Sequence, residues 1–421
     1  MDLASLPAAF SQFLEENSVD PIVYTVKNLP RFVRWNTRFP KTELPTAEEL
    51  QAQLNGQRVW PVEGIEGFFG IQLLQNQDTE DIDGSNDNDD IKSLGLRIID
   101  IPAYQQNKIF GIDVSSGIAV LALQVQPDDH VLDLCCAPGA KLCMISNILG
   151  SEGTGTVTGV DISSHRVATC RSLVKRYKVA ERVRLFNADG ITFGVHAPSR
   201  IGAKILKKDD SIQEPSEKKR KGNDEVPVKT VERINPFHAP KTLRFDPQLR
   251  GEAFLYDKVI VDAECTHDGS ILHILKYEKW GWDTFEKNFM DKDRLRDICQ
   301  LQRNLMANAW SLLVDDGLMV YSTCSLSIKQ NEENVAWFLH VYGKEAILEN
   351  IPCISDIDIK SAPIKQGWQV PELPENNRAN IELAIESNCI RFDPIVSGTS
   401  GFFVALFRKR RQCQEEQLVH S

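Results

Sequence analysis

His130-Val-Leu-Asp-Leu-Cys-Cys-Ala-Pro-Gly-Ala-Lys141 is the stretch that decides how this 421-residue chain is read. A short apolar β run at 130–135 ends in the turn Ala137-Pro138-Gly139-Ala140, and Leu142, Ile145, Ile148 and Leu149 then follow at helical spacing. Strand, tight turn and helix open the nucleotide-binding type of α/β sheet. Working outward, 156–162, 183–187, 258–262 and 318–322 read as further strands, and 166–177 as a helix. Between the last two strands, Leu295, Ile298, Leu301, Leu305, Ala309 and Leu312 mark an amphipathic helix. The alternation predicts a doubly wound, mostly parallel, Rossmann-like α/β sheet.

In such a sheet, ligands bind outside the carboxyl ends of the strands. The informative residues fall there. Cys135, Cys136, Ala137, Pro138, Gly139, Ala140 and Lys141 form the first loop, where Gly139 allows close approach of the backbone. The loop has a single glycine, so the dinucleotide pattern GxGxxG is not met. Asp133, Asp161, Asp189 and Asp262 stand at or just beyond four strand ends. Asp161 suits the hydroxyls of a ribose, and Asp189 an adenine amino group. Four carboxylates describe a pocket for a cationic nucleoside better than one for a phosphate, and S-adenosylmethionine fits. The plainer alternative is that each aspartate caps a turn or helix.

Two cysteines share that edge. Asp262-Ala-Glu-Cys265 follows the fourth strand and Tyr321-Ser-Thr-Cys324-Ser the fifth. Cysteine is commonly just a buried residue, which suits Cys143, Cys170 and Cys299 within helical patterns. Methylation of a pyrimidine ring carbon wants the other arrangement. A thiolate that adds to carbon 6 makes carbon 5 nucleophilic. A second acid–base group then helps to remove the carbon-5 proton and expel the thiol.

These motifs identify the chain as similar to the NOL/NOP/SUN (RsmB-like) RNA cytosine-5 methyltransferases. Asp133–Lys141 resembles the family's DxCAAPGGKT, DAEC at 262–265 its DAPC, and YSTCS at 321–325 its nucleophile motif. Asn331-Glu-Glu-Asn334, the last strand at 401–408 and Arg34-Trp35-Asn36-Thr37 also fit. The resemblance implies a seven-stranded methyltransferase sheet with an antiparallel last strand. It implies Cys324 as nucleophile, Cys265 as the thiol that assists product release, and Asp262 as a carboxylate shared by cytosine and cofactor. Cys135–Lys141, Asp161 and Asp189 become cofactor contacts. It also implies RNA, ribosomal or transfer, as substrate. Two departures stand out. Glu264 replaces the usual proline, and Thr266-His267-Asp268-Gly269 replaces a short Ser/Thr-Gly turn. An added carboxylate beside the thiols is expected to raise their pKa. The alternative is a weak or inactive RNA-binding or ribosome-assembly factor on the same fold.

Composition is globular, with 42% hydrophobic and 25% charged residues, which excludes a wholly disordered or fibrous chain. The net charge of −11 argues at first against nucleic acid, but residues 78–90 alone hold seven acids. Basic clusters stand at Lys27, Arg31, Arg34, Arg38 and Lys41, at 218–221 and at 408–411. The first, interleaved with Phe32, Trp35 and Phe39, is a candidate RNA contact. Residues 1–23 read as helical and 43–54 as a short helix. Residues 1–100 are expected to form an α+β RNA-binding region with a disordered acidic loop near 76–92. Residues 101–421 are expected to form the catalytic domain, with a disordered insertion near 198–250. Ten cysteines without scaffold spacing suit a reducing compartment. With no leader pattern and no long apolar run, the expectation is a soluble intracellular protein of the nucleus, nucleolus or cytoplasm. No CxxC or HExxH is present, so no metal is expected.

Overall fold

The computed structural model describes residues 2–72, 97–198, 234–244, 254–371 and 373–411. The acidic stretch 78–90, the basic run 218–221 and most of the expected insertion lie outside the described residues. Part of that insertion, 234–244, is described, and His238 forms a β-bridge with Leu185.

A small antiparallel sheet comes first in the chain. Its strands are β1 (Arg31–Trp35), β2 (Arg58–Pro61), β3 (Phe68–Gln72) and β4 (Ile109–Gly111), in the order β2-β3-β1-β4. The sheet therefore takes an edge strand from beyond residue 100, the boundary expected from the sequence. Its own core gathers Val33, Leu50, Leu54, Phe69, Ile71 and Ile109. The helix expected at 43–54 is shorter, Ala47–Gln53, because Thr46 and Glu49 cap it reciprocally in a capping box. Of the first 23 residues, the described ones (2–23) hold one α-helix, Ala8–Glu16, flanked by 3-10 turns. Pro7 stands at its N-cap and Pro21 opens the second 3-10 turn, which fits the poor tolerance of proline inside a helix.

The large sheet contains β5 (His130–Asp133), β6 (Thr156–Asp161), β7 (Val183–Asn187), β8 (Tyr256–Asp262), β9 (Leu313–Thr323), β10 (Ala346–Glu349), β11 (Ile390–Phe392) and β12 (Phe402–Lys409). Its path is β10-β12-β9-β8-β5-β6-β7, with β11 paired to β12 off that path. Strands β5 to β9 pair in parallel, while β12 runs antiparallel to β9. Helices cover both faces, so strands alternate between two cores. Val404 and Leu406 join one core, and Phe403, Ala405 and Phe407 the other. Such two-sided burial is what near-continuous apolar strands imply. Phe10, Phe13 and Tyr24 pack with Ile271, Ile274 and Phe285, tying the N-terminal segment to the helices that follow β8.

Candidate active site

Strands β8 and β9 run in parallel register, Asp262 opposite Ser322, so the loops that leave their carboxyl ends lie side by side. They touch through backbone. The Gly269 amide donates to the Cys324 carbonyl at 3.0 Å, and the Gly401 amide donates to the Gly269 carbonyl at 2.8 Å. A Cβ on residue 269 would fall 2.6 Å from the Cys324 oxygen and 2.8 Å from that of Gly401, so only glycine permits this approach. Asp268 is fully buried and clasps the two loops. Its carboxylate accepts from the Ser325 hydroxyl at 2.7 Å, from the Leu326 amide at 2.8 Å, and from the Thr266 hydroxyl. The Tyr24 hydroxyl donates to the Asp268 carbonyl at 3.0 Å. The Asn331-Glu332 start of the next helix braces the same loop. Asn331 accepts from the Thr323 hydroxyl at 2.6 Å and donates to the Ser325 carbonyl at 2.8 Å. Glu332 forms a buried pair with Arg391, which also donates to the Leu326 carbonyl at 3.0 Å.

This bracing brings Cys265 and Cys324 together, with 3.2 Å between their sulfurs. His267 joins them, its Nδ1 2.9 Å from Cys324 Sγ and 3.9 Å from Cys265 Sγ. The hydrogen bond with Cys265 and then the charge and hydrogen bond of His267 hold the Cys324 thiol well below its usual range, against the desolvation of burial. Burial, and then Cys324, push the Cys265 thiol well up. The charge of Cys324 raises the imidazole of His267 to about 9, against burial. The geometry favours the thiolate form of Cys324, with an imidazole and a second thiol within hydrogen-bond reach of its sulfur. The Glu264 carboxylate, which stands next to Cys265 in the chain, pairs with Arg294 at 2.7 Å.

His267 was not singled out as functional by the sequence reading, although the departure Thr266-His267-Asp268-Gly269 marked the place. Cys265, His267 and Cys324 are also ligand types for a soft metal, all within 4.8 Å. Their two short spacings, 2.9 and 3.2 Å, are hydrogen-bond contacts. Two ligands on a tetrahedral zinc would stand about 3.6 to 3.8 Å apart.

A cavity of about 810 Å³ opens next to the β5 turn. Every loop residue from Cys135 to Lys141 lines it, together with Asp133 and Asp262. Asp262 accepts from Lys141 Nζ at 2.7 Å on one oxygen and from the Ser322 hydroxyl at 2.8 Å on the other. Asp133 is buried, and neither of its oxygens meets a donor at full hydrogen-bond geometry. Burial first, then the charge of Asp262, push its pKa up to about 8, opposed by Lys141 and the Cys135 amide. Gly139 has φ +113° at the N-cap of the helix Ala140–Leu149, a conformation that L side chains rarely adopt. Of the other two aspartates, Asp161 is buried, accepts from the Ser163 amide at 2.9 Å and lies 3.5 Å from Arg166. Asp189 is exposed and accepts from the Ile191 amide at 2.9 Å. Neither is part of the lining of this cavity.

The five basic candidates divide. Lys27 and Arg31 are exposed and line the cavity. Arg34 turns inward and is a correction to the expected RNA contact. It is buried, donates to Asn147 Oδ1 at 3.2 Å and lies over the rings of Phe68 and Phe110. Arg38 is likewise internal, bonded to the Ser146 carbonyl and Glu181. Lys41 is exposed and paired with Glu66. Asn36 and Thr37 meet the same Asn147, so the Arg34–Thr37 motif fastens the small sheet to the helix after β5. In the 408–411 run, Arg408 pairs with Glu349 and Arg411 with Asp316, while Lys409 donates to the carbonyls of Trp310 and Leu313.

The sequence profile of the family described as 16S rRNA methyltransferase RsmB/F matches residues 120–206 and 238–408, more than half of the chain, and the chain belongs to that family. It is 23% identical over 360 residues to the mouse (Mus musculus) tRNA (cytosine(72)-C(5))-methyltransferase NSUN6, covering 76% of this chain and 58% of that protein. It is 22% identical over 273 residues to ribosomal RNA small subunit methyltransferase B of Yersinia pseudotuberculosis, covering 65% of this chain and 46% of that protein. The chain thus spans only about half the length of these relatives. Among solved structures, a methyltransferase homolog protein from Pyrococcus horikoshii superposes with TM-score 0.58 at 19% identity, covering 96% of both chains. NSun6 from the same organism, solved with SFG, gives 0.57 at 15% identity over 93% of both. No helix among the described residues is long and apolar enough to cross a membrane.

Proposed function

We propose that this protein is an S-adenosylmethionine-dependent RNA cytosine-5 methyltransferase that works through a covalent bond from Cys324 to carbon 6 of the target base. The observation that carries the reading is the meeting of two thiols, from the ends of two parallel strands, 3.2 Å apart. They stand on the sheet edge that also carries Asp262.

Bound S-adenosylmethionine supplies an electrophilic methyl group. The cavity volume of about 810 Å³ falls in the range of small-molecule sites. The buried carboxylate of Asp133 lacks a full hydrogen-bond partner and suits the cationic methionine end of such a ligand. Gly139 keeps the loop backbone bare on the cavity wall. Asp161 and Asp189, at the next two strand ends, are the candidates for the nucleoside end.

Cys324 provides the thiolate that attacks carbon 6. Asp262, held by Lys141 and Ser322, orients the amino edge of cytosine. Cys265 keeps its proton and is placed to assist when the carbon–sulfur bond breaks. Lys27 and Arg31, exposed along the cavity lining, are the side chains offered to RNA phosphates.

The test is methyl transfer from labelled cofactor to total cellular RNA. Cys324→Ala should give no covalent RNA adduct, and Cys265→Ala should accumulate one that survives denaturing electrophoresis. If the intact protein binds the cofactor yet methylates no RNA, the reading is wrong.

A further inference from the structure

We propose that His267 is a catalytic residue of this protein, the base that takes the proton of Cys324 and returns it when the product leaves. The proposal rests on the cytosine-methyltransferase reading above and adds a histidine to its two cysteines.

Geometry carries it. His267 Nδ1 lies 2.9 Å from Cys324 Sγ, nearer than the 3.2 Å to the Cys265 sulfur. The imidazole is held by its neighbours along the chain. Asp268 and Thr266 on either side are locked into the Ser325 and Gln330 network, and the ring meets Phe289 edge-on at 5.8 Å. His267 itself has φ +55°, a left-handed conformation that asparagine, aspartate and histidine adopt most readily among residues other than glycine. This conformation belongs to the segment in which the chain departs from the family pattern it resembles. Other charged or titratable groups that act on the pair are Cys265, Asp262, Asp268, Lys141 and His273. With two carboxylates in this set, a cation beside the sulfur favours the thiolate.

The proton balance is closed. The S–H bond of Cys324 breaks, its proton moves to Nδ1, and the electron pair stays on sulfur. That pair forms the bond to carbon 6 while the carbon 5–carbon 6 π pair moves to carbon 5, where it would bond the methyl carbon of bound S-adenosylmethionine as the sulfonium–methyl bond breaks and leaves its pair on the cofactor sulfur. At release, the carbon-5 proton departs to solvent and its electron pair restores the double bond. The carbon–sulfur pair returns to Cys324, and the Nδ1 proton can rejoin it. One proton is released per methyl transferred.

The experiment is iodoacetamide alkylation of Cys324 in the free protein across pH 5 to 10, read by peptide mass spectrometry so that Cys265 is scored separately. His267→Asn is the variant of choice, because asparagine tolerates a positive φ. His267→Gln repeats the test should asparagine unsettle the loop. The wild type should react fast at pH 7. The variant should react at least tenfold slower there and converge with it near pH 10, with unchanged melting temperature and cofactor binding. In turnover, kcat should fall and the rising limb of the pH profile should move up, with KM little changed. A variant alkylated at the wild-type rate at pH 7 overturns the proposal. A wild type that shows the histidine-dependent thiolate but no methyl transfer sinks the functional reading and leaves the Cys–His pair standing.

Discussion

Lys141, in the first turn after β5, and Asp262, at the end of β8, form an ion pair of 2.7 Å across 121 positions of chain. The pair sits on the wall of the 810 Å³ cavity, and Ser322 at 2.8 Å holds the second oxygen of the same carboxylate. The 135–141 loop, the Asp262 carboxylate and the strand that leads to Cys324 are thus joined by two hydrogen bonds, which would fix Asp262 for the role proposed for it at the base. Asp262→Asn keeps the shape and removes the charge. Methyl transfer should fall by about 10²- to 10⁴-fold in single-turnover assays at saturating cofactor. A loss smaller than tenfold would place the essential carboxylate elsewhere.

Asp133 gives a pH signature. An ordinary aspartate titrates near 3.9, whereas burial puts this one at about 8 in the folded protein. Between those values the folded state keeps a proton that the unfolded chain has released, so stability declines as pH rises through this window. Asp133→Asn has no such proton to lose. The melting-temperature advantage of the variant over the wild type, without cofactor, should grow from pH 5 to pH 8. A constant difference would mean that the carboxylate is already solvated.

Asn147 is the fastening between the small sheet and the large one. Its side chain accepts from Arg34 and the Thr37 amide and donates to Asn36, each at 3.2 Å. Asn147→Ala leaves a buried guanidinium and a buried amide short of partners. It should cost about 3 kcal/mol in urea denaturation, and unfolding in which the small sheet melts first is the expected form. A variant as stable as the wild type would show that the remaining links, such as Arg38 with the Ser146 carbonyl and Glu181, hold the two sheets together.

The exposed cavity-lining cations should behave differently from the inward ones. Charge reversal of Lys27 and Arg31 should weaken RNA binding and reduce the salt slope by about 1 per lost phosphate contact, with melting temperature unchanged. Reversal of Arg34 or Arg38 should instead lower stability. An unchanged salt slope for Lys27→Glu/Arg31→Glu would move the RNA path away from this face.

Much of this was legible in the sequence because it depends on local pattern. Apolar runs, turn residues and helical spacing mark β5 to β9 and their helices, since two-sided burial forces that pattern on each strand separately. The strand ends put Asp133, Asp262, Cys265 and Cys324 on one edge by topology alone. Residues 27–41 show where local reading stops. Five cations without an acid look alike in sequence, yet Arg34 and Arg38 face inward. Asn147 and Glu181, more than a hundred positions away, offer them partners.

The sequence by itself determined the doubly wound sheet, the position of the 135–141 loop and the two cysteines at the strand ends, because each follows from periodicity or a contiguous motif. Only the tertiary structure decided what surrounds the thiols. Asp268 and Gly269 draw two loops 57 positions apart into backbone contact, and that contact sets His267 against Cys324. Glu264, beside Cys265 in the chain, pairs with Arg294 from a later helix. Charge effects fall off over a few ångströms, so their sign and size at a thiol depend on which side chains the folded loops bring near it.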